Sequence, residues 1–517
     1  MKSNSRATIA MIALIVALGG LLMGFDASVI SGVNKFIEAE FELSKIELGW
    51  AVSSLTLVAA LAMLAAGPLS DRYGRRAILR VAAVLYAISA VGSALAPDFL
   101  TLVIARMIGG LGVGASLILA PMYIAEIAPS EQRGFLVSFN QLNIVVGISL
   151  AFFSNYAILQ LGDSGKSWVQ SLGIADHQWR WMLGLEAIPA FLYWVGLFFV
   201  PRSPRWLMMK GKSVEAEKIM ARFFSPERLG SELKAIATSL KEDIKAKQVQ
   251  LSELFRPGLK LVLTIAFVIA ILQQITGINS VFFYAPMIFE QSGLGTDASF
   301  MQAILVGLVN LVFTVVAMLI IDRIGRKPLL LVGVTGIIAS MFVLSYSFGQ
   351  ATYELNEESF KSAELEIIPT FDASVYDSKG DFEMAVTELI GADVFEEKAS
   401  EILNSSIRVD GLIVLIAVLA FVASFAVSLG PVMWVLLSEL FPTRIRGIAV
   451  SVVGLVNSMV SFLVQLVFPW ELDVLGSSLT FLIYGLFAVG GLIFVIRVVP
   501  ETKGKTLEQI EAEFVTN

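Results

Sequence analysis

DRYGRR occupies residues 71–76, and DRIGRK occupies residues 322–327, an offset of 251. A second marker also recurs: AEIAPSEQRG at 125–134 returns as SELFPTRIRG at 438–447, an offset of 313. The growth from 251 to 313 matches the length of the acidic stretch 350–410, which therefore reads as an insertion into the second copy. VPRSP at 200–204 and VPETK at 499–503 close the two copies. The chain is thus a tandem of two like halves, and its fold must be one that is built twice.

Composition says what solvent the halves meet. Of the 517 residues, 56% are hydrophobic and only 16% charged, whereas a soluble domain carries roughly 25% charged residues. With too little polar surface to face water on all sides, the chain reads as a polytopic membrane protein. Its apolar runs are long and continuous rather than short and alternating, which selects helices over a barrel. Twelve spans are expected near 8–33, 47–69, 77–96, 100–122, 136–160, 180–200, 259–290, 299–321, 328–349, 411–437, 448–470 and 478–498. Cysteine is absent, which excludes disulfides and thiolate chemistry. The single histidine, His177, lies in a polar connector and reads as a surface residue. No metal cluster, nucleotide loop or nucleophile–base pair stands out, so neither a cofactor nor an enzyme is expected, and no nucleic-acid partner. Lys2 and Arg6 followed by apolar residues imitate a signal peptide, but no small-x-small cleavage pattern follows and the apolar run continues through Ile30.

Basic residues set the orientation. Arg72, Arg75, Arg76 and Arg80, then Arg133, then Arg323, Arg326 and Lys327, then Arg444 and Arg446 all fall on one side, with both termini. The positive-inside rule makes that side cytoplasmic, in a multi-pass protein of the cell (plasma or inner) membrane. The expected units are a six-helix bundle over 1–201, a charged linker over 202–257, a second bundle over 258–499 and a cytoplasmic tail over 500–517. SVEAEKIMARFF and SELKAIATSLKEDIKAK within the linker read as amphipathic helices. The insert 350–410 falls on the outer side, either as a small folded unit or as a mobile acidic loop, and NSS at 404–406 is a glycosylation pattern there.

Inside the spans, two sets of residues resist a lipid reading. Gln141, Gln273, Gln274, Asn279, Asn310 and Asn457 are amides; burying so many in lipid is costly, so they are expected to line a wet cavity, and such groups suit the many hydroxyls of a sugar. Asp26, Arg106 and Glu186 are ionisable and all lie in the first half. A charge at mid-membrane costs about 2.5–3.5 kcal/mol even on the gentlest scale, so Asp26 is expected to pair with Arg106, take up a proton or serve function. Gly277 marks a weak point in the seventh span, and a kink is expected in the tenth near Gly430 and Pro431.

GPLSDRYGRR (67–76), RMIGGLGVG (106–114), PMYIAEIAPSEQRG (121–134), PRSPRWL (201–207), QQITGIN (273–279), DRIGRK (322–327), GPVMW (430–434) and PETKGKT (500–506) occur in this order, each at a span end or break. Together they resemble the sugar porter family of the major facilitator superfamily, over nearly the whole chain apart from the insert. The chain looks most like the bacterial proton-coupled D-xylose and hexose symporters. The resemblance implies an all-α membrane fold: twelve transmembrane helices in two parallel-repeat bundles, with a cytoplasmic amphipathic-helix linker.

It also implies roles. Sugar contacts fall on Gln141, Gln273, Gln274, Asn279, Asn310, Trp434 and Asn457, with Phe283 and Tyr284 in an outer gate; Phe283 replaces a common Tyr, and Ser458 stands where many relatives have a second pocket Trp. Proton coupling falls on Asp26, Arg106 and Glu186, since passive members usually have Asn at the first of these. A cytoplasmic latch holding the halves together in the outward-open state falls on Asp71, Arg72, Arg75, Arg76, Glu126, Arg133, Asp322, Arg323, Arg326, Glu439, Arg446 and Glu501. Arg202 departs from the family's usual Glu and removes one acid from that set. The expected activity is proton-coupled symport of a pentose or hexose such as D-xylose or D-glucose, by a monomer in a lipid bilayer. A passive uniporter, a cyclitol (inositol) symporter and a sugar sensor are the alternatives; the long tail expected of a sensor is missing after TLEQIEAEF.

Overall fold

A computed structural model describes residues 3–129, 132–245, 251–355, 374–442 and 444–505, with the single residues 357, 360 and 509. Part of the acidic insert and most of the tail 500–517 lie outside these, as do Ser130 and Glu131 of the 121–134 motif. Among the described residues twelve helices are long and apolar enough to cross a membrane: Ala7–Glu40, Lys45–Tyr73, Arg75–Ala94, Phe99–Ile127, Gly134–Gly162, Gln178–Phe199, Pro257–Phe283, Thr296–Ile324, Arg326–Gly349, Gly411–Leu440, Arg446–Val474 and Gly476–Arg497. These are called spans 1 to 12. The face that carries the first residues of span 1 is called the terminal face, and the opposite one the distal face.

Local chemistry explains where the spans start and stop. Ser44 and Glu47 form a reciprocal capping box at the start of span 2, and the Asp98 carboxylate accepts from Thr101 N–H at the start of span 4. The hairpins joining spans 2 and 3, and spans 8 and 9, each pivot on a glycine at positive φ: Gly74 at 96° and Gly325 at 106°, values a side chain would strain. Within the first half, spans meet backbone to backbone. A Cβ on Gly24 would strike the Ile144 carbonyl, one on Gly147 the Leu21 carbonyl and one on Gly114 the Ala59 carbonyl. The glycines of RMIGGLGVG thus permit helix contact, as small residues do inside lipid.

Among the described residues three spans are broken. Span 6 stops at Gly184 and resumes at Ala187, with Leu185 and Glu186 between. Span 7 stops at Ile275, passes through Gly277 at φ 86° and resumes at Ile278. Span 10 parts at Ser428, close to the expected Gly430 and Pro431. Pro431 has no N–H to offer the carbonyl of Val427, so the interruption falls on the residue after that carbonyl.

The linker helices Pro204–Met209, Ser213–Met220 and Pro226–Lys245 follow span 6. Ala216, Ile219, Met220, Phe223 and Phe224 are buried in the core of the first half, so the linker's apolar stripe is held there. In the insert, Thr352–Leu355 (β1), Ser374–Tyr376 (β2) and Ile407–Arg408 (β3) form an antiparallel sheet in the order β2-β1-β3. Helices Lys379–Ile390 and Ala392–Ser406 cover it over a core of Leu355, Phe360, Phe382, Val386 and Ile402. Of the two sequence alternatives, the described part of the insert takes the folded one.

At Gly277 an added Cβ meets the Tyr484 ring as well as an unfavourable φ. Gly277→Ala should therefore destabilise the protein by about 1–3 kcal/mol, seen as a lower melting temperature in detergent. Gly490→Ala, whose Cβ would have nothing within 4 Å, should leave the melting temperature unchanged.

Candidate functional site

Asp26 and Arg106 are both buried, and they meet: an Arg106 guanidinium nitrogen lies 3.4 Å from Asp26 Oδ1. The guanidinium also donates through Nε to the Ala51 carbonyl at 3.0 Å. The pair therefore joins spans 1, 2 and 4. Asp26 Oδ2 is buried with no hydrogen-bond partner among the described residues. Glu186 is buried at the break of span 6, within electrostatic range of both Asp26 and Arg106, and its Oε1 likewise has no hydrogen-bond partner among the described residues. Three ionisable groups thus lie buried in the first half, with acceptor capacity left unused.

The second half contributes amides. Asn457 Nδ2 donates to Gln273 Oε1 at 2.8 Å and to the Ala270 carbonyl at 2.8 Å. Gln274 Nε2 donates to Asn457 Oδ1 and to Gln273 Oε1, each at 3.2 Å. Asn279 Nδ2 donates to Gln274 Oε1 at 2.9 Å. Gln273 Nε2 turns to span 10 just past its break, donating to the carbonyls of Leu429 at 2.9 Å and Gly430 at 3.3 Å. The breaks in spans 7 and 10 thus bring Gln273, Gln274, Asn279 and Asn457 into one network. Gln141 is exposed on span 5, Asn310 is buried in span 8, and Trp434 is half exposed on span 10 with its ring 3.7 Å from a Cβ built on Gly454. These three are not among the partners of that network.

The halves touch on the distal side. Asn34 Nδ2 donates to the Phe283 carbonyl at 2.9 Å, and Lys35 pairs with Glu290 at 3.1 Å. Gln160 donates to Asp297, and Ser149 Oγ donates to the Gly307 carbonyl at 2.9 Å. Tyr284 is buried, and its hydroxyl donates to the Gln465 carbonyl at 2.9 Å. Both expected gate residues therefore sit in a distal side that is shut.

Near the terminal face, each half has its own staple. Arg75 pairs with Asp71 at 2.7 Å and with Glu126 at 3.1 Å, while Ser203 Oγ donates to Glu126 at 2.5 Å. Arg326 pairs with Asp322 at 3.0 Å and with Glu439 at 2.7 Å, while Thr502 Oγ1 donates to Glu439 at 2.6 Å. Glu501 accepts from the N–H groups of Arg326 and Lys327, at 3.1 and 3.0 Å, where span 9 begins. Each of these contacts joins helices of its own half. Arg76 donates to the Val200 carbonyl at 2.8 Å, Arg72 lies over the Tyr73 ring, and Arg446 donates to the Phe441 carbonyl. The Arg323 carbonyl accepts from Lys503. Arg202 finds a different acid, Glu215, at 3.4 Å. The side chain of Arg133 lies outside the described residues.

Several contributors escape sequence reading. Asn34, Lys35, Ser149 and Gln160 carry the distal contacts, but their partners lie more than 130 positions away. Gln465 carries a signal that was legible, an amide deep in span 11 two turns beyond Asn457.

The family description "Sugar (and other) transporter" fits residues 12–368 and 384–514. The chain is 35% identical over 510 residues to the arabinose-proton symporter of Bacillus subtilis, covering 99% of this chain and 96% of that protein. It is 36% identical over 536 residues to the D-xylose-proton symporter of Escherichia coli, covering 97% and 94%. The inward open conformation of the xylose transporter XylE from E. coli superposes with a TM-score of 0.74 at 33% identity, over 98% of this chain and 100% of that one. With twelve spans in two like halves, ionisable groups in one half and an amide network in the other, the chain belongs to the sugar transporter family of the major facilitator superfamily.

Proposed function

We propose that the chain is a proton-coupled symporter for a pentose or hexose, working by alternating access as a monomer in the cell membrane. The buried Asp26–Arg106 pair with an unused carboxylate oxygen is the observation that carries this reading. The terminal face is the cytoplasmic one, because the connectors there carry the arginines of both repeats. The distal face is the outer one. With the outer contacts made, the protein stands in an inward-facing state, in keeping with its likeness to inward open XylE.

In the outward-facing state water reaches Asp26, which takes a proton and releases Arg106. The joint between spans 1, 2 and 4 then loses its charge pair, and the first half repacks over the sugar. Sugar hydroxyls bond to Gln141, Gln273, Gln274, Asn279, Asn310 and Asn457, and Trp434 offers a ring face. Phe283 and Tyr284 close over the top. The halves rock as rigid bodies, each held by its own Arg–carboxylate staple. Facing the cytoplasm, Asp26 loses its proton and pairs with Arg106 again, and Glu186 tunes or relays that proton. The two staples lie where they meet across the cytoplasmic side once it shuts, forming the latch of the outward-facing state. A membrane potential of 100 mV supplies about 2.3 kcal/mol per proton, and one pH unit about 1.4 kcal/mol, sufficient to concentrate sugar.

In proteoliposomes, Asp26→Asn should abolish proton-driven sugar accumulation and preserve sugar counterflow; undiminished sugar-driven proton uptake in that variant would sink the assignment. Gln274→Leu strips Asn279 and Asn457 of a partner. Sugar affinity should fall by about ten- to a hundredfold, as for buried polar groups left unpaired at about 1–3 kcal/mol each. Unchanged affinity by equilibrium binding would remove Gln274 from the sugar site.

A further inference from the structure

Gln465 has no exposed surface, yet both ends of its amide are bonded. Its Nε2 donates to Ser461 Oγ at 2.7 Å, and its Oε1 accepts from Thr56 Oγ1 at 3.0 Å. Ser461 Oγ also accepts from Asn279 Nδ2 at 2.6 Å. Thr56 belongs to span 2 in the first half, and all the others belong to the second. An unbroken run of hydrogen bonds therefore leads from Gln273 and Gln274 through Asn279, Ser461 and Gln465 into the opposite half.

The crossing point is tightly packed. A Cβ on Gly49 would strike the Leu466 carbonyl, and Trp50 meets Phe462 edge-on with ring centroids 5.5 Å apart. Spans 2 and 11 thus touch around the Thr56–Gln465 bond, and no water layer separates them. When the distal side parts, Thr56 must withdraw with the first half, and Gln465 Oε1 loses its partner. At the other end of the run, both amide hydrogens of Asn279 are engaged, one by Gln274 and one by Ser461. That fixes the plane of the Asn279 amide and leaves Oδ1 to accept from a ligand.

We infer that Gln465 is a positioning residue: through Ser461 it orients Asn279 toward the sugar, and through Thr56 it makes that orientation depend on distal closure. The inference rests on the sugar-site reading above. By linkage, a sugar that holds Asn279 in this orientation favours the Thr56–Gln465 bond and hence the closed distal side. The closed side favours the sugar by the same factor.

The chain has no cysteine, so spin labels can be placed at Glu42→Cys and Asp473→Cys, exposed positions in the two halves near the distal face. Pulsed EPR distances between them report closure, with and without D-xylose, L-arabinose or D-glucose. Thr56→Val keeps the side chain's shape and removes the hydroxyl. It should shift the sugar-free population about threefold toward the open distal side, the factor of one interhelical hydrogen bond in a membrane. It should also weaken sugar binding about threefold, and Thr56→Ser should restore both. Gln465→Leu should move both readouts in the same direction as Thr56→Val. The inference is overturned if Thr56→Val, with an unaltered melting temperature, keeps the parent distance distribution. It is equally overturned if Thr56→Ser behaves like Thr56→Val. Binding of none of the three sugars by the parent would count against the sugar reading, and the sugar-free distances would still decide whether this bond holds the distal side shut.

Discussion

A carboxylate and a guanidinium buried together in the first half are the constraint on which the rest of the molecule depends. Neither Asp26 nor Arg106 reaches water in this state, so each must be answered inside the protein. The answers come from three spans. Arg106 on span 4 bonds the Asp26 carboxylate on span 1 and the Ala51 carbonyl on span 2. The carboxylate of Asp26 therefore belongs to a joint between three helices, and under the proposed coupling this is how one proton acts on the shape of a whole bundle.

The two halves share a plan and divide the work. Their staples correspond closely: Asp71, Arg75, Glu126 and Ser203 in the first, Asp322, Arg326, Glu439 and Thr502 in the second. These make each half stiff. What fills the middle differs. The first half holds titratable groups on spans 1, 4 and 6, the last interrupted at Glu186, whereas the second holds amides beside the breaks of spans 7 and 10, where span 10 carbonyls hold Gln273. On the reading proposed above, a chemistry that senses charge faces one that reads hydroxyls, across an interface that parts.

Much of this was legible in the sequence because the signals were local. Span number follows from apolar length, the repeat from two motifs with offsets of 251 and 313, and the break at Gly277 from a glycine beside polar residues. The span 10 break expected near Gly430 and Pro431 falls at Ser428, since a proline's missing N–H acts four residues upstream of the proline itself. The fold of the insert was hidden: strands of four, three and two residues leave little alternation to detect. The distal contacts were hidden for another reason. Thr56 and Gln465 are 409 positions apart, and nothing in either neighbourhood names the other. Motif reading also named an expected latch set without fixing every partner, and in this state Arg75 and Arg326 bond within their own halves.

The most direct test of the central claim is the number of protons bound per sugar bound. Sugar added to purified protein in weakly buffered detergent solution, with the pH followed by a dye, measures it. Uptake of about one proton per sugar by the parent chain, and none by Asp26→Asn at saturating sugar, is the result this account predicts. Sugar binding with no proton uptake by the parent, or equal uptake by both, would contradict it.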